Sequence, residues 1–136
     1  MLRINIKKIL TDLIIVLAIF SVDRLSKVYI LKMAELEGIV NIYITKYLNF
    51  YLIWNKGVAF GLFSFNESFV YNLITSIIIT VTIVILIMII KNEGFKKYSL
   101  LLVFGGSLGN LFDRIYYSAV PDFIDFHIND FHWFVF

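Results

Sequence analysis

Residues Phe69 to Ile90 read FVYNLITSIIITVTIVILIMII, an unbroken run without a charged side chain. As an α-helix, 22 residues cover roughly 33 Å, about the thickness of the hydrocarbon core of a bilayer. A buried helix of a soluble protein is rarely this long and this uniformly apolar, so the run predicts a membrane span over 69–90. The whole chain agrees with it. Of its 136 residues, 60% are hydrophobic and 16% charged, against roughly 45–50% and about 25% in soluble domains. One domain of this length has too much surface to hide so much apolar side chain from water.

On the amino-terminal side, the segment NIYITKYLNFYLIWN (41–55) is rich in β-branched and aromatic residues with partial alternation. It predicts strands, and hence a small sheet in the region 32–68, with its aromatic side chains at headgroup level. Gly57 and Gly61 then mark a turn or a close backbone approach. Further back, 10–31 reads as another span. It begins apolar (LIIVLAIFSV) and then carries Asp23, Arg24 and Lys27, which inside a membrane should face protein or water. Asp23 and Lys27 lie on one helical face. Two readings stay open: a helix that surfaces near Asp23 with an interfacial ion pair, or a functional mouth at its outer end.

On the carboxyl-terminal side, 98–115 is a third apolar stretch. It contains Gly105, Gly106, Ser107 and Gly109, small residues that let helices approach closely in a membrane. The expected fold is thus a polytopic helical membrane protein with a small external β-rich region. Arg3, Lys7 and Lys8 precede the first span, and Lys91, Lys96 and Lys97 lie between the second and third. The positive-inside rule puts these groups in the cytoplasm, and 32–68 and the tail after Arg114 outside. The first apolar run has no small-x-small cleavage signal after it and reads as a retained span. A net charge of +2 gives no reason to expect nucleic acid as a partner. With no cysteine, disulfides and thiol chemistry are excluded.

Three polar clusters interrupt the apolar background: Asn55-Lys56-Gly57-Val58-Ala59-Phe60-Gly61, Gly106-Ser107-Leu108-Gly109-Asn110-Leu111-Phe112-Asp113-Arg114 and Val120-Pro121-Asp122-Phe123. All three fall on the predicted outer side. Carboxylates near a low-dielectric boundary suit acid–base chemistry, because two that share a site cannot easily both ionise. By type the candidates are Asp113, Asp122, Asp125 and Asp130. Asp113, next to Arg114, reads as a structural ion pair, and Asp125 and Asp130 read as solvated. Asp122 has apolar neighbours in Val120, Phe123 and Ile124 that would raise its pKa by desolvation. No metal site is expected: HExxH is absent, and His127 and His132, five apart, do not share a helical face. No serine lies in a nucleophile elbow.

The set Asp23-Arg24-x-x-Lys27, N-K-G-V-A-F-G, G-G-S-L-G-N-L-F-D-R and V-P-D-F resembles the lipoprotein signal peptidases of bacteria, or signal peptidase II. The likeness runs from the first span to the last residue, with the motifs in the family's order. It implies an aspartic endopeptidase of the bacterial inner membrane that needs no cofactor. The implied architecture is four transmembrane helices with an external β-rich cradle. The implied partners are membrane lipid and prolipoproteins, cut just before a diacylglyceryl-modified cysteine, and the enzyme is expected to act as a monomer. Residue by residue, the first catalytic aspartate falls on Asp122 and the cradle asparagine on Asn55, with Gly57 in the same motif. Asn110 and Arg114 fall on polar residues lining or supporting the site, and Asp113, Asp23 and Lys27 on supporting positions. Pro121 departs from the family's usual aliphatic residue.

The family continues into Phe-Asn-x-Ala-Asp, whose aspartate is the partner acid and which opens the fourth helix. This chain reads His132-Trp133-Phe134-Val135-Phe136 and stops. The expectation is therefore one peptidase domain over 1–136, incomplete at its carboxyl terminus, with spans at 10–31, 69–90 and 98–115 and no useful activity as written. The alternative is a non-catalytic membrane protein that binds lipidated substrates through the cradle.

Overall fold

The computed structural model describes residues 6–57, 67–129 and 131–136. Helix α1 (Ile6–Glu37) leads into strands β1 (Asn41–Thr45) and β2 (Leu48–Asn55). Two helices follow, α2 (Glu67–Lys91) and α3 (Gly94–Tyr117), and then strands β3 (Val120–Ile128) and β4 (Phe131–Val135).

α1 passes both predicted boundaries. It continues beyond Asp23 to Glu37, so residues 32–37 are helix and not loop. It ends where Gly38 takes a φ of 78° and donates its N–H to the Ala34 carbonyl at 2.9 Å. Glycine enters that left-handed region without a Cβ penalty. Within α2, Phe69–Lys91 is long and apolar enough to cross a membrane by composition alone, and among the described residues no other helix is. Most of its apolar side chains, Ile77, Val81, Val84 and Ile90 among them, are uncovered by protein. An apolar surface on all sides of a helix calls for lipid around it.

α3 lies against both other helices, and its small residues explain how. A methyl group at Gly105 would lie 2.8 Å from Ile19 Cβ and 3.2 Å from the Val16 carbonyl oxygen, and one at Gly109 would run into the Asp23 carboxylate. These two glycines, one turn apart, let α3 approach α1 closely. Gly106 meets nothing within 4 Å. Ser107 faces α2 instead, its hydroxyl 2.5 Å from that of Thr82. Val16, Ile89 and Leu101, one from each helix, close the shared apolar core.

The four strands form one antiparallel sheet in the order β1-β2-β3-β4. The strands expected in 41–55 are present, and the tail, for which no strand was foreseen, supplies the other half. The sheet packs on the end of α1 through Ile30, Val40 and Phe123. Pro121 fits because it is the second residue of β3, ahead of the stretch that pairs with β4 from Asp125 onward. A strand start with a neighbour on one side only can spare the missing N–H.

Candidate active site

β2 and β3 pair with Ile53 opposite Asp122 and Asn55 opposite Val120, and the register slips between Phe50 and Ile53. Such an irregularity twists a strand and re-aims its side chains. Asn55 and Asp122 become diagonal neighbours, close enough for side chains to meet. Asn55 Nδ2 donates to Asp122 Oδ2 at 2.9 Å. The orientation of that amide is not arbitrary, because Asn55 Oδ1 accepts the Gly57 backbone N–H at 3.0 Å. A backbone donor can only meet the oxygen, so the NH₂ must face the carboxylate.

Burial raises the pKa of Asp122 above the ordinary aspartate value, against the opposing pull of the Asn55 hydrogen bond and of the Lys27 and Arg114 charges. The desolvation foreseen from its apolar neighbours is therefore the largest influence on this group.

Behind Asp122 lies a cluster that ties α1 to α3. Lys27 Nζ is 2.6 Å from Asp113 Oδ2, 2.9 Å from Asn110 Oδ1 and 2.9 Å from Asp23 Oδ1. An ammonium has three protons, and all three have acceptors. Arg24 Nη2 is 2.8 Å from Asp23 Oδ2, and its Nη1 lies 2.6 Å from Asp113 Oδ1. Two cations and two carboxylates thus balance, with Asp113 at 0% exposure. The Asp23–Lys27 pair is therefore not confined to α1, because Asp113 and Asn110 of α3 share it. These charges on an otherwise largely apolar helix face protein and each other.

The expected pairing of Asp113 with Arg114 is corrected. Consecutive helical residues point about 100° apart, and the two side chains take different partners. Asp113 turns to α1, while Arg114 Nη2 donates to the Gly57 carbonyl at 3.2 Å. Arg114 is buried, and its Nε and Nη1 have no hydrogen-bond partner among the described residues. Tyr71 of α2 supports it from the other side: its hydroxyl donates to the Arg114 carbonyl at 2.6 Å and its ring lies 5.6 Å from the guanidinium carbon. Nothing in the sequence tied Tyr71 to this place, since one tyrosine in an apolar run carries no signal. The turn from α3 into β3 passes through Ser118 at φ 56°, which brings Arg114 and Asp122 to the same end of the bundle.

Asp125 is corrected too. It is 2% exposed, not solvated, and sits on the far part of β3 with His127 and beside His132 of β4, away from Asn55. Val58 to Gly61 and Asp130 lie outside the described residues.

Residues 15–136 match the model of the Signal peptidase (SPase) II family. The chain is 53% identical over 134 residues to the lipoprotein signal peptidase of Pelagibacter ubique, covering 98% of this chain and 81% of that protein. It is 35% identical over 130 residues to the lipoprotein signal peptidase of Anaplasma phagocytophilum, covering 93% of this chain and 80% of that one. Two solved structures of bacterial membrane enzymes share its fold. One, determined in meso at 2.3 Å resolution, has a TM-score of 0.65 at 28% identity, covering 92% of this chain and 76% of its own. The other, at 1.9 Å, has a TM-score of 0.67 at 25% identity, covering 93% and 80%.

Proposed function

The chain belongs to the signal peptidase II family of membrane proteases that remove signal peptides from prolipoproteins, and on that premise we propose that Asp122 is one of its two catalytic carboxylates. The observation that carries this is the Asn55–Asp122 hydrogen bond at 2.9 Å on a carboxyl whose pKa burial has raised. Asn55 donates to Oδ2, so Oδ1 is the oxygen left to hold a proton. The protonated Oδ1 acts as general acid on the carbonyl oxygen of the scissile peptide. The partner carboxylate, expected in the family's Asn-x-Ala-Asp motif, takes a proton from water as its oxygen attacks the carbonyl carbon. Proton return to the leaving nitrogen then breaks the C–N bond. Gly57 and Arg114 support the substrate backbone beside Asp122, Arg114 through guanidinium N–H groups that find no acceptor among the described residues. Asp23, Lys27, Asn110 and Asp113 hold α1 and α3 in place behind it.

In this reading α1, α2 and α3 all cross the inner membrane, with the amino terminus in the cytoplasm. The sheet and Asp122 lie at the outer surface, where a diacylglyceryl-modified cysteine would arrive with its signal peptide still in the bilayer. The apolar sides of the helices support it, as do the basic residues at 91, 96 and 97. The test uses the full-length protein in lipid with a diacylglyceryl-modified prolipoprotein. Asp122→Asn keeps shape and the hydrogen bond from Asn55 but removes the titratable proton, so turnover should fall by at least about 10²–10⁴-fold while the protein stays folded. Unchanged turnover removes Asp122 from the mechanism.

A further inference from the structure

The chain contains two histidines and no cysteine, and both histidines meet at one buried carboxylate that the peptidase chemistry does not use. His127 on β3 is paired directly opposite His132 on β4. The spacing of five that separates them on a helix brings them together across a hairpin, whose turn Asn129 opens at φ 52°. Their rings lie 5.3 Å apart. Asp125, on the same strand as His127 and two residues before it, is 2% exposed and His127 is 9% exposed.

His132 Nδ1 lies 2.8 Å from Asp125 Oδ2, and His127 Nδ1 lies 3.6 Å from the same oxygen, too far for a hydrogen bond. Among the described residues, His127 Nδ1 and Asp125 Oδ1 are both buried without a hydrogen-bond partner, which is costly unless something else binds them. The ligand atoms of all three residues lie within 4.8 Å of one another. Metal–ligand bonds of about 2.0–2.1 Å in a tetrahedral site set neighbouring ligand atoms about 3.3 Å apart. The 3.6 Å separation is near that value. The shorter one needs His132 to retreat by a few tenths of an ångström, which its side chain, 58% exposed on β4, is free to do.

We propose that Asp125, His127 and His132 bind one divalent transition-metal ion of the zinc type, with the fourth position open to water or to a further ligand. Two imidazoles and a carboxylate suit zinc and its neighbours, whereas magnesium and calcium take oxygen ligands. The ion ties β4 to β3, the strand that carries Asp122, and gives the orphaned His127 Nδ1 a partner. His132 is the way in, since it is the ligand that reaches the surface.

The experiment takes the full chain, purified in detergent without a histidine tag and stripped with a chelator. Zn²⁺ is titrated against a chromophoric chelator, and Co²⁺ is added separately for its visible absorption. We expect one Zn²⁺ per chain with micromolar or tighter affinity and a Co²⁺ spectrum of tetrahedral intensity. His132→Gln, at an exposed position where the fold should survive, should weaken Zn²⁺ at least tenfold and abolish the Co²⁺ band. Asp125→Asn should do the same, with circular dichroism checking that each variant is folded. Failure of the wild-type chain to take up one equivalent, or uptake unaltered in folded His132→Gln, overturns the site. Because neither histidine has a place in the Asp122 chemistry, the outcome is independent of the peptidase assignment.

Discussion

Asp122 sits where burial works against its own charge. In the unfolded chain it ionises in the ordinary aspartate range, and in the fold only at higher pH. Its contribution to stability is therefore fully present below the unfolded value and is lost as pH rises through the folded one. Asp122→Asn carries no charge at any pH. The melting temperature of the variant relative to the wild type should rise as the pH is raised across that window and level off above it. Thermal melts of the full-length protein in detergent from about pH 3 to about pH 8 read this directly, and two curves that run parallel would refute it. Asp113 poses the opposite case, a carboxylate whose burial is compensated by Lys27 and Arg24. Removing one member of such a buried set costs about 3–5 kcal/mol. A double-mutant cycle distinguishes its true partner from its sequence neighbour. Asp113→Asn with Lys27→Met should show a coupling of about 0.5–3 kcal/mol, and Asp113→Asn with Arg114→Met should be additive within about 0.5 kcal/mol. Coupling to Arg114 alone would reverse the assignment made from the geometry.

Among the elements, the contact between α1 and α3 is the one on which the site depends, because it sets Asp23, Arg24 and Lys27 against Asn110 and Asp113. Its closeness rests on Gly105 and Gly109. Gly105→Ala puts a methyl group 2.8 Å from Ile19 Cβ and against the backbone of Val16, and overpacking of this kind costs about 1–3 kcal/mol. Gly106→Ala meets open space and replaces a poor helix former with the best one, worth about 0.5–1 kcal/mol in the stabilising direction. The two single variants should move the detergent melting temperature in opposite directions. Equal effects would mean that helix propensity, and not interhelical contact, governs these positions. The sheet depends on pairing across a long stretch of chain: β2 finds β3 some 70 residues later, as in Phe50 with Ile124, so the cradle cannot form until α2 and α3 have been laid down between them.

The whole molecule presents bare apolar helices on one side of the site cluster and a sheet on the other, a division suited to a bilayer and its surface. The basic residues around the ends of α1, α2 and α3 then predict which surface. Two ion pairs, Lys8 with Glu93 at 3.0 Å and Lys97 with Asp12 at 2.5 Å, join the same end of α1 to the α2–α3 connection and the first turn of α3. Lys46, in the turn between β1 and β2, lies at the opposite end. With no native cysteine, single cysteines report cleanly. In intact spheroplasts an impermeant thiol reagent should label Lys46→Cys and spare Lys96→Cys, and the reverse pattern would invert the proposed topology.

Much of this was legible before any coordinates. The apolar helix over 69–90 follows from an uninterrupted apolar run, the strands at 41–55 from β-branched and aromatic residues, and the family from motifs whose order is itself distinctive. What the chain could not disclose was who meets whom. Asp113 stands beside Arg114 in sequence, yet the helical turn sends one to α1 and the other to the Gly57 carbonyl. Asp125 sits in a mixed stretch that reads as solvated, and β3 buries it. His127 and His132 were rejected as partners by a helical criterion, and a hairpin places them face to face. Composition and periodicity report a residue's own solvent preference and the period of its own element. Partners across elements are set by packing, registers and turns that no local pattern encodes, and for this protein those decide the site.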